Sequence, residues 1–128
     1  MTRSKVLATL GLAGLVVAGC SSFNLSPKCE ETHDGLRRIL VVQGPLEKPD
    51  FSRLRAIIGV SQSAELASDY NKRTCSAVVE TESGQARATY TVTQAEGAQS
   101  WYEIVLVNDT DSELAALVAD ARKTYYAR

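Results

Sequence analysis

The chain has 128 residues, with 14 basic and 15 acidic side chains and a formal net charge of −1. A chain of this length is enough for one domain with a modest core, and too short for two. The charge balance argues against nucleic acid as a partner, because nucleic-acid-binding domains carry a basic patch or stripe.

Residues 1–19 have the pattern of an export signal. Arg3 and Lys5 make the start basic, and residues 6–19 carry no charge, as in a secretory signal peptide. This apolar run of about 14 residues is shorter than the roughly 20 that a membrane-spanning helix needs. We therefore expect cleavage rather than a permanent transmembrane anchor.

The apolar run ends in Val17-Ala18-Gly19-Cys20. These residues resemble the lipobox of bacterial lipoprotein precursors, in which the cysteine receives a diacylglycerol and becomes the first mature residue. The resemblance implies lipidation of Cys20, and two or three acyl chains anchor a protein stably where one does so only marginally. The serine that follows the cysteine, Ser21, resembles the residue found at this position in lipoproteins exported to the outer membrane. The expected location is the bacterial cell envelope, at the outer membrane facing the periplasm in a two-membrane organism.

Residues 20–28 are polar and contain a proline, so they predict a tether, with a single domain over 29–128. Cys29 and Cys75 remain as a pair, and an exported small domain favours a disulfide between them. Free buried thiols and a metal or catalytic site are the alternatives. His33 follows Cys29 by four residues, but a zinc site needs two further ligands that no spacing here supplies.

The first part of the domain predicts a helix and then a strand. Over residues 30–42 the apolar residues Leu36, Ile39 and Leu40 recur at helical spacing. Gly35 weakens this helix, and residues 40–42 are equally suited to begin a strand. Residues 54–60 are rich in β-branched side chains and predict a strand. The polar stretch that follows includes a candidate helical turn at 63–70.

Strand patterns continue to residue 107. Residues 73–81 and 86–93 alternate between apolar and polar side chains, and the composition of residues 82–85 predicts a hairpin turn between them. A second turn is predicted at 96–98. The strand predicted at 101–107 is apolar on both faces except at Glu103, which indicates a central strand or one covered on both sides.

The chain ends in a predicted amphipathic helix. Thr110-Asp111-Ser112-Glu113 fits a capping box with Thr110 as the N-cap. The apolar residues behind it recur at helical spacing; they are Leu114, Leu117, Val118, Ala121 and Tyr125. We expect this helix to pack on the core, with partner binding as the alternative.

The predicted fold class is α+β: a leading helix, an antiparallel meander of about four strands and a C-terminal helix packed on the sheet. Residues 74–78, 88–92 and 102–105 resemble strands of small exported cystatin-like and NTF2-like proteins. This resemblance implies a leading helix across a curved meander, and the C-terminal helix departs from its simplest version. It implies no single function, because such folds host many.

Catalytic chemistry is poorly represented in the sequence. His33 is the single histidine, and a hydrolase would need it to meet a nucleophile and a carboxylate. The carboxylate pairs Glu80 with Glu82 and Asp109 with Asp111 are explained by solvation and helix capping. No phosphate-binding glycine loop, cofactor motif or metal motif is found.

These observations predict a non-enzymatic, lipid-anchored envelope protein that binds a protein partner, as an accessory subunit or as an inhibitor or immunity protein. The first alternative is a small-ligand carrier that uses the concave sheet face, where Tyr90 and Trp101 would line a pocket. A hydrolase is the less favoured third reading.

Overall fold

The structure is a computed structural model that describes residues 26–94 and 102–127. Its elements, in chain order, are a 3-10 turn Cys29–Glu31, α1 His33–Val41, α2 Phe51–Ile57, β1 Gly59–Ser68, β2 Lys72–Thr81, β3 Gly84–Gln94, β4 Tyr102–Leu106 and α3 Ser112–Tyr126. The four strands form one antiparallel sheet in the order β1-β2-β3-β4. The predicted α+β class and meander are confirmed. Within the described residues, no helix has the length and apolar character needed to cross a membrane.

α1 and α3 pack against one face of the sheet, and α2 packs against these two helices. At the start of α1, His33 is hydrogen-bonded to Ser63 of β1, whereas Gly35 lies against Ile104 of β4. One short helix therefore contacts both edge strands. Residues 40–42, which were also suited to a strand, contribute the end of this helix and its C-cap.

The two central strands have the predicted alternation. Their helix-facing residues are buried in the core; they are Cys75, Ala77, Val79, Ala88, Tyr90 and Val92. Thr81 pairs with Gly84 across a two-residue loop, which confirms the hairpin. Gly84 has a φ of +144°, a conformation that residues with a β-carbon rarely adopt.

The strand predicted at 54–60 is wrong for most of its length, because residues 51–57 form α2. The Asp50 carboxylate accepts a hydrogen bond of 3.1 Å from the Arg53 amide and caps this helix. Leu54 and Ile58 are four residues apart and both are buried, which is helical spacing. The helical turn suggested at 63–70 is also wrong, since β1 continues to Ser68.

Two further expectations are corrected at the end of the chain. β4 lies at an edge of the sheet, and Glu103 and Val105 are exposed, so the strand is neither central nor covered on both faces. The N-cap of α3 is Asp111 rather than Thr110, because the Asp111 carboxylate accepts from the Leu114 amide at 2.9 Å. The predicted apolar stripe of α3 is buried in full.

Candidate functional site

A cleft lies between α1 and β4 in the described part of the chain. α1 and β4 meet at Gly35, where a β-carbon would lie 2.6 Å from Cδ1 of Ile104. The helix thus approaches the edge strand closely at Gly35.

The cleft has a volume of about 400 Å³ and combines apolar walls with charged residues. Its lining consists of Gly35, Arg38, Ile39, Tyr102, Glu103 and Ile104. A second hollow of about 220 Å³ shares Ile39 with the cleft and continues towards α3. The second hollow is lined further by Leu40, Leu106, Asp109, Leu114, Ala115, Val118, Ala119 and Arg122.

The backbone of β4 borders this cleft with hydrogen-bonding groups directed away from the sheet. The Val107 amide donates to the Thr89 carbonyl at 2.7 Å, and Leu106 is opposite Tyr90. Alternate residues of an antiparallel strand face the neighbouring strand. The amides and carbonyls of Tyr102, Ile104 and Leu106 consequently point outward, and no other strand of the described chain pairs with them.

The register of this edge is fixed at its end by a side chain. The Asn108 carboxamide accepts from the Thr89 amide at 2.8 Å and donates to the Arg87 carbonyl at 2.9 Å. It thereby continues the ladder between β3 and β4 past the last strand residue. A fixed register makes the outward row of backbone groups a defined surface.

Charges near the N-terminal part of α1 shape the electrostatics of the cleft. Asp34 accepts from Arg37 Nη1 at 2.8 Å and from Arg55 Nη2 at 2.6 Å. The hydrogen bond from Arg55, together with that from Arg37, lowers the pKa of Asp34 against the opposing effect of burial. Burial, and then the negative charges of Asp34 and Glu31, raise the pKa of Tyr102. The Tyr102 hydroxyl therefore stays protonated and can act as a donor at the cleft.

His33 and Ser63 form the pairing nearest to catalytic chemistry, through a hydrogen bond between the ring Nε2 and the hydroxyl. Burial, and then the charge of Arg37, lower the pKa of His33. The neighbouring Asp34 carboxylate is held by Arg37 and Arg55. In residues 26–94 and 102–127 no hydrogen bond joins the His33 ring to a carboxylate, so the described pair lacks the third member of a hydrolase triad.

The predicted disulfide is present. Cys29 and Cys75 are joined by an S–S bond of 2.04 Å, with their Cα atoms 5.7 Å apart, and both residues are buried. The bond connects the 3-10 turn before α1 to β2. Its role here is structural, because it fixes the start of α1 over the sheet.

Tyr90 does not line an open pocket, since its side chain is fully buried in the core. Its hydroxyl lies 2.9 Å from Oγ1 of Thr32, and burial raises its pKa. Cys20 and Trp101, the other predicted site residues, lie outside the described residues. The structure therefore brings Tyr90 together with Thr32 and leaves its predicted pairing with Trp101 untested.

The carboxylate pairs do not form a ligand set. Asp111 caps α3, and Glu80 is an exposed residue of β2. Among the residues that the structure describes, no cluster of His, Cys, Asp or Glu side chains is suited to a metal ion.

Sequence reasoning missed the cleft between α1 and β4. The signal that pointed to it was Gly35 within a helical pattern, because an isolated helix glycine often has a packing reason. Comparisons of the chain with protein-family models, curated proteins and solved structures give no match.

Proposed function

We propose that this protein is a non-enzymatic lipoprotein of the bacterial envelope, anchored through Cys20, whose domain binds an extended segment of a protein partner along β4. The observation that carries the proposal is the open edge of β4 beside the cleft. The lipid anchor itself rests on the lipobox resemblance of residues 17–20.

The proposed binding mode is β-strand addition. The outward amides and carbonyls of Tyr102, Ile104 and Leu106 would pair with a partner strand, and alternate partner side chains would enter the cleft. Ile39 offers an apolar contact in both hollows. Arg38 and Glu103 both border the cleft, but the Glu103 side chain lies with Val105 on the other face of β4. Arg38 therefore supplies the charge on the cleft side, which favours a partner segment with an acidic residue there.

Binding is favoured over hydrolysis by the arrangement around His33. Its ring is engaged by Ser63, while the carboxylate of the adjacent residue, Asp34, is held by two arginines. A histidine that acts as the general base on a hydroxyl at neutral pH needs a partner such as a carboxylate to orient its ring. The His33–Ser63 contact instead links α1 to β1.

The test is a pull-down of the lipidated protein from native membranes, comparing three variants with the wild type. Ile39→Gln places a polar group in the cleft. Ile104→Pro removes an outward amide, a change that edge strands tolerate better than central ones. Val105→Gln is the matched control, because Val105 is 50% exposed and lies on the opposite face of the same strand.

We expect a stoichiometric partner with the wild type and with Val105→Gln, and its loss with the other two. Circular dichroism and thermal unfolding establish that each variant is folded. If all three variants retain the partner, it binds elsewhere and the proposed surface is wrong. Recovery of a small molecule without any protein would favour the ligand-carrier alternative. An inhibitor or immunity protein would abolish the activity of the partner, whereas an accessory subunit would not.

A further inference from the structure

The chain enters the domain at a fixed point near the start of β2. The Arg73 guanidinium donates to the Pro27 carbonyl at 2.9 Å and to the Ser26 carbonyl at 3.1 Å. The same guanidinium is paired with Glu65 of β1. Two residues after Pro27, the Cys29–Cys75 disulfide joins the entering chain to β2 a second time. The position of Ser26 is thus set by the sheet.

This entry point lies beside the hairpin that joins β1 and β2. The hairpin is closed by a hydrogen bond of 2.7 Å from the Asp69 amide to the Lys72 carbonyl. Tyr70 is three residues from Arg73, and a strand advances about 3.3 Å per residue, so Tyr70 and Ser26 lie at the same end of the sheet. The other end of β2, at Thr81, is eight residues from Arg73 and about 26 Å away by the same rise.

The hairpin exposes two large apolar side chains near its tip. Leu66 is 58% exposed and Tyr70 is 65% exposed. Leu66 is the extra residue of a bulge, because Glu65 pairs with Cys75 and Ala67 with Thr74. Bulges of this kind turn a side chain away from the regular pleat. The two side chains are not explained by packing within the domain.

The short chain between Cys20 and Ser26 limits how far this hairpin can lie from a membrane in which Cys20 is anchored. Ser26 is six residues after Cys20, and these six steps span at most about 20 Å when the chain is fully extended. If Cys20 carries acyl chains, the end of the domain that contains Ser26 is held within that distance of the bilayer. Tyrosine prefers the membrane–water interface, where its ring is half buried and its hydroxyl stays wet.

We infer that Leu66 and Tyr70 of the β1–β2 hairpin contact the headgroup region of the bilayer to which Cys20 is tethered. This inference rests on the proposed lipidation of Cys20. The hairpin turn carries one acid and one base, Asp69 and Lys72, so the contact is apolar rather than electrostatic. It orients the domain with the Thr81–Gly84 hairpin away from the membrane.

The test places an environment-sensitive dye at position 70 of the lipidated full chain. With Cys29 and Cys75 in the disulfide and Cys20 carrying lipid, the new cysteine of Tyr70→Cys is the reactive thiol. Leu46→Cys is the control, because Leu46 is 97% exposed and its loop follows the far end of α1. Both labelled proteins are reconstituted into phosphatidylcholine vesicles with and without brominated acyl chains.

We expect a blue-shifted emission and strong quenching by brominated lipid at position 70, with neither at position 46, and no change when anionic lipid is added. Equal, water-like emission from both positions on vesicle-bound protein would overturn the inference and leave the lipid anchor standing. Protein that does not float with vesicles at all would overturn the anchor and the inference together. A blue shift at position 70 that depends on protein density would assign the hairpin to a contact between copies instead.

If the Tyr70→Cys protein misfolds, a second variant tests the same point. Tyr70→Trp in a chain with Trp101→Phe has one tryptophan, because Trp101 is the single tryptophan of the sequence. Its quenching by brominated lipid is compared with that of Leu46→Trp in the same background. The expected and contradicting results are those of the dye experiment.

Discussion

Removal of the Cys29–Cys75 disulfide is expected to cost a large share of the domain's stability. The bond closes a loop with a sequence separation of 46. In the chain-entropy description, a loop of this length stabilises the folded state by about 4 kcal/mol at 25 °C. Domains of this size are commonly stable by only about 5–15 kcal/mol. The double variant Cys29→Ala, Cys75→Ala should therefore unfold at much lower denaturant concentration.

The measurement is urea unfolding followed by circular dichroism, on chains that begin at Ser21 so that Cys20 is absent from both. We expect the free energy of unfolding to fall by about 3–5 kcal/mol. A reductant should bring the wild type to the midpoint of the double variant and leave that variant unchanged. A loss below about 1 kcal/mol would refute the reasoning, because the start of α1 would then be held by its packing alone.

Three further predictions concern the helices. Gly35→Ala should gain little of the roughly 1 kcal/mol that alanine adds over glycine within a helix, because its β-carbon would lie 2.6 Å from the end of the Ile104 side chain, which must move; thermal unfolding measures this. Arg53→Met should lower the free energy of unfolding by about 1–2 kcal/mol, since Arg53 donates to the carbonyls of Thr124, Tyr125 and Ala127 at the end of α3; urea unfolding measures this. For His33 the folded-state pKa is lowered, so the unfolded chain takes up the proton first on acidification. Stability should be full above pH of about 6.5 and fall below it, as thermal melts over a pH series would show.

Each of these has a control within the chain. Ala56→Gly, in α2 and exposed, probes helix propensity without a clash and contrasts with Gly35→Ala. Ser52→Ala is an exposed neighbour of Arg53 and should change little. His33→Gln should remove the stability change near neutral pH and leave the transition at lower pH that Asp34 causes, whose pKa is also lowered. A Gly35→Ala protein more stable than the wild type by about 1 kcal/mol, or an unchanged pH profile in His33→Gln, would contradict the account.

The sequence predicted best where local pattern and tertiary environment agree. Residues 73–81 and 86–93 alternate because one face of β2 and β3 packs under the helices, and their predicted bounds are within two residues of the observed strands. The stripe of α3 was predicted for the same reason. The strand prediction for residues 54–60 was wrong because it rested on their β-branched side chains and not on the capping aspartate before them. Leu54 and Ile58 are in fact spaced for a helix.

The remaining errors arise from features that depend on distant parts of the chain. β4 is apolar on both faces, yet it is an edge strand. Because the exposed face of β4 carries Val105, the local sequence pattern does not distinguish it from a central strand. The cleft is lined by Gly35 and Ile104 together, which are far apart in sequence. Tyr90 was predicted to face inward and does so, but its depth in the core follows from Thr32 and α1 above it.

Photo-crosslinking in native membranes tests the partner-binding claim most directly. A photoreactive amino acid at Glu103, beside the open edge of β4, is compared with one at Gln85, an exposed residue of the distant β2–β3 hairpin. We expect one discrete crosslinked protein from position 103 that is absent from position 85 and lost when Ile104→Pro is combined with the probe. A crosslinked partner from position 85 alone, or none from either position in membranes that hold the lipidated protein, would contradict the proposed function.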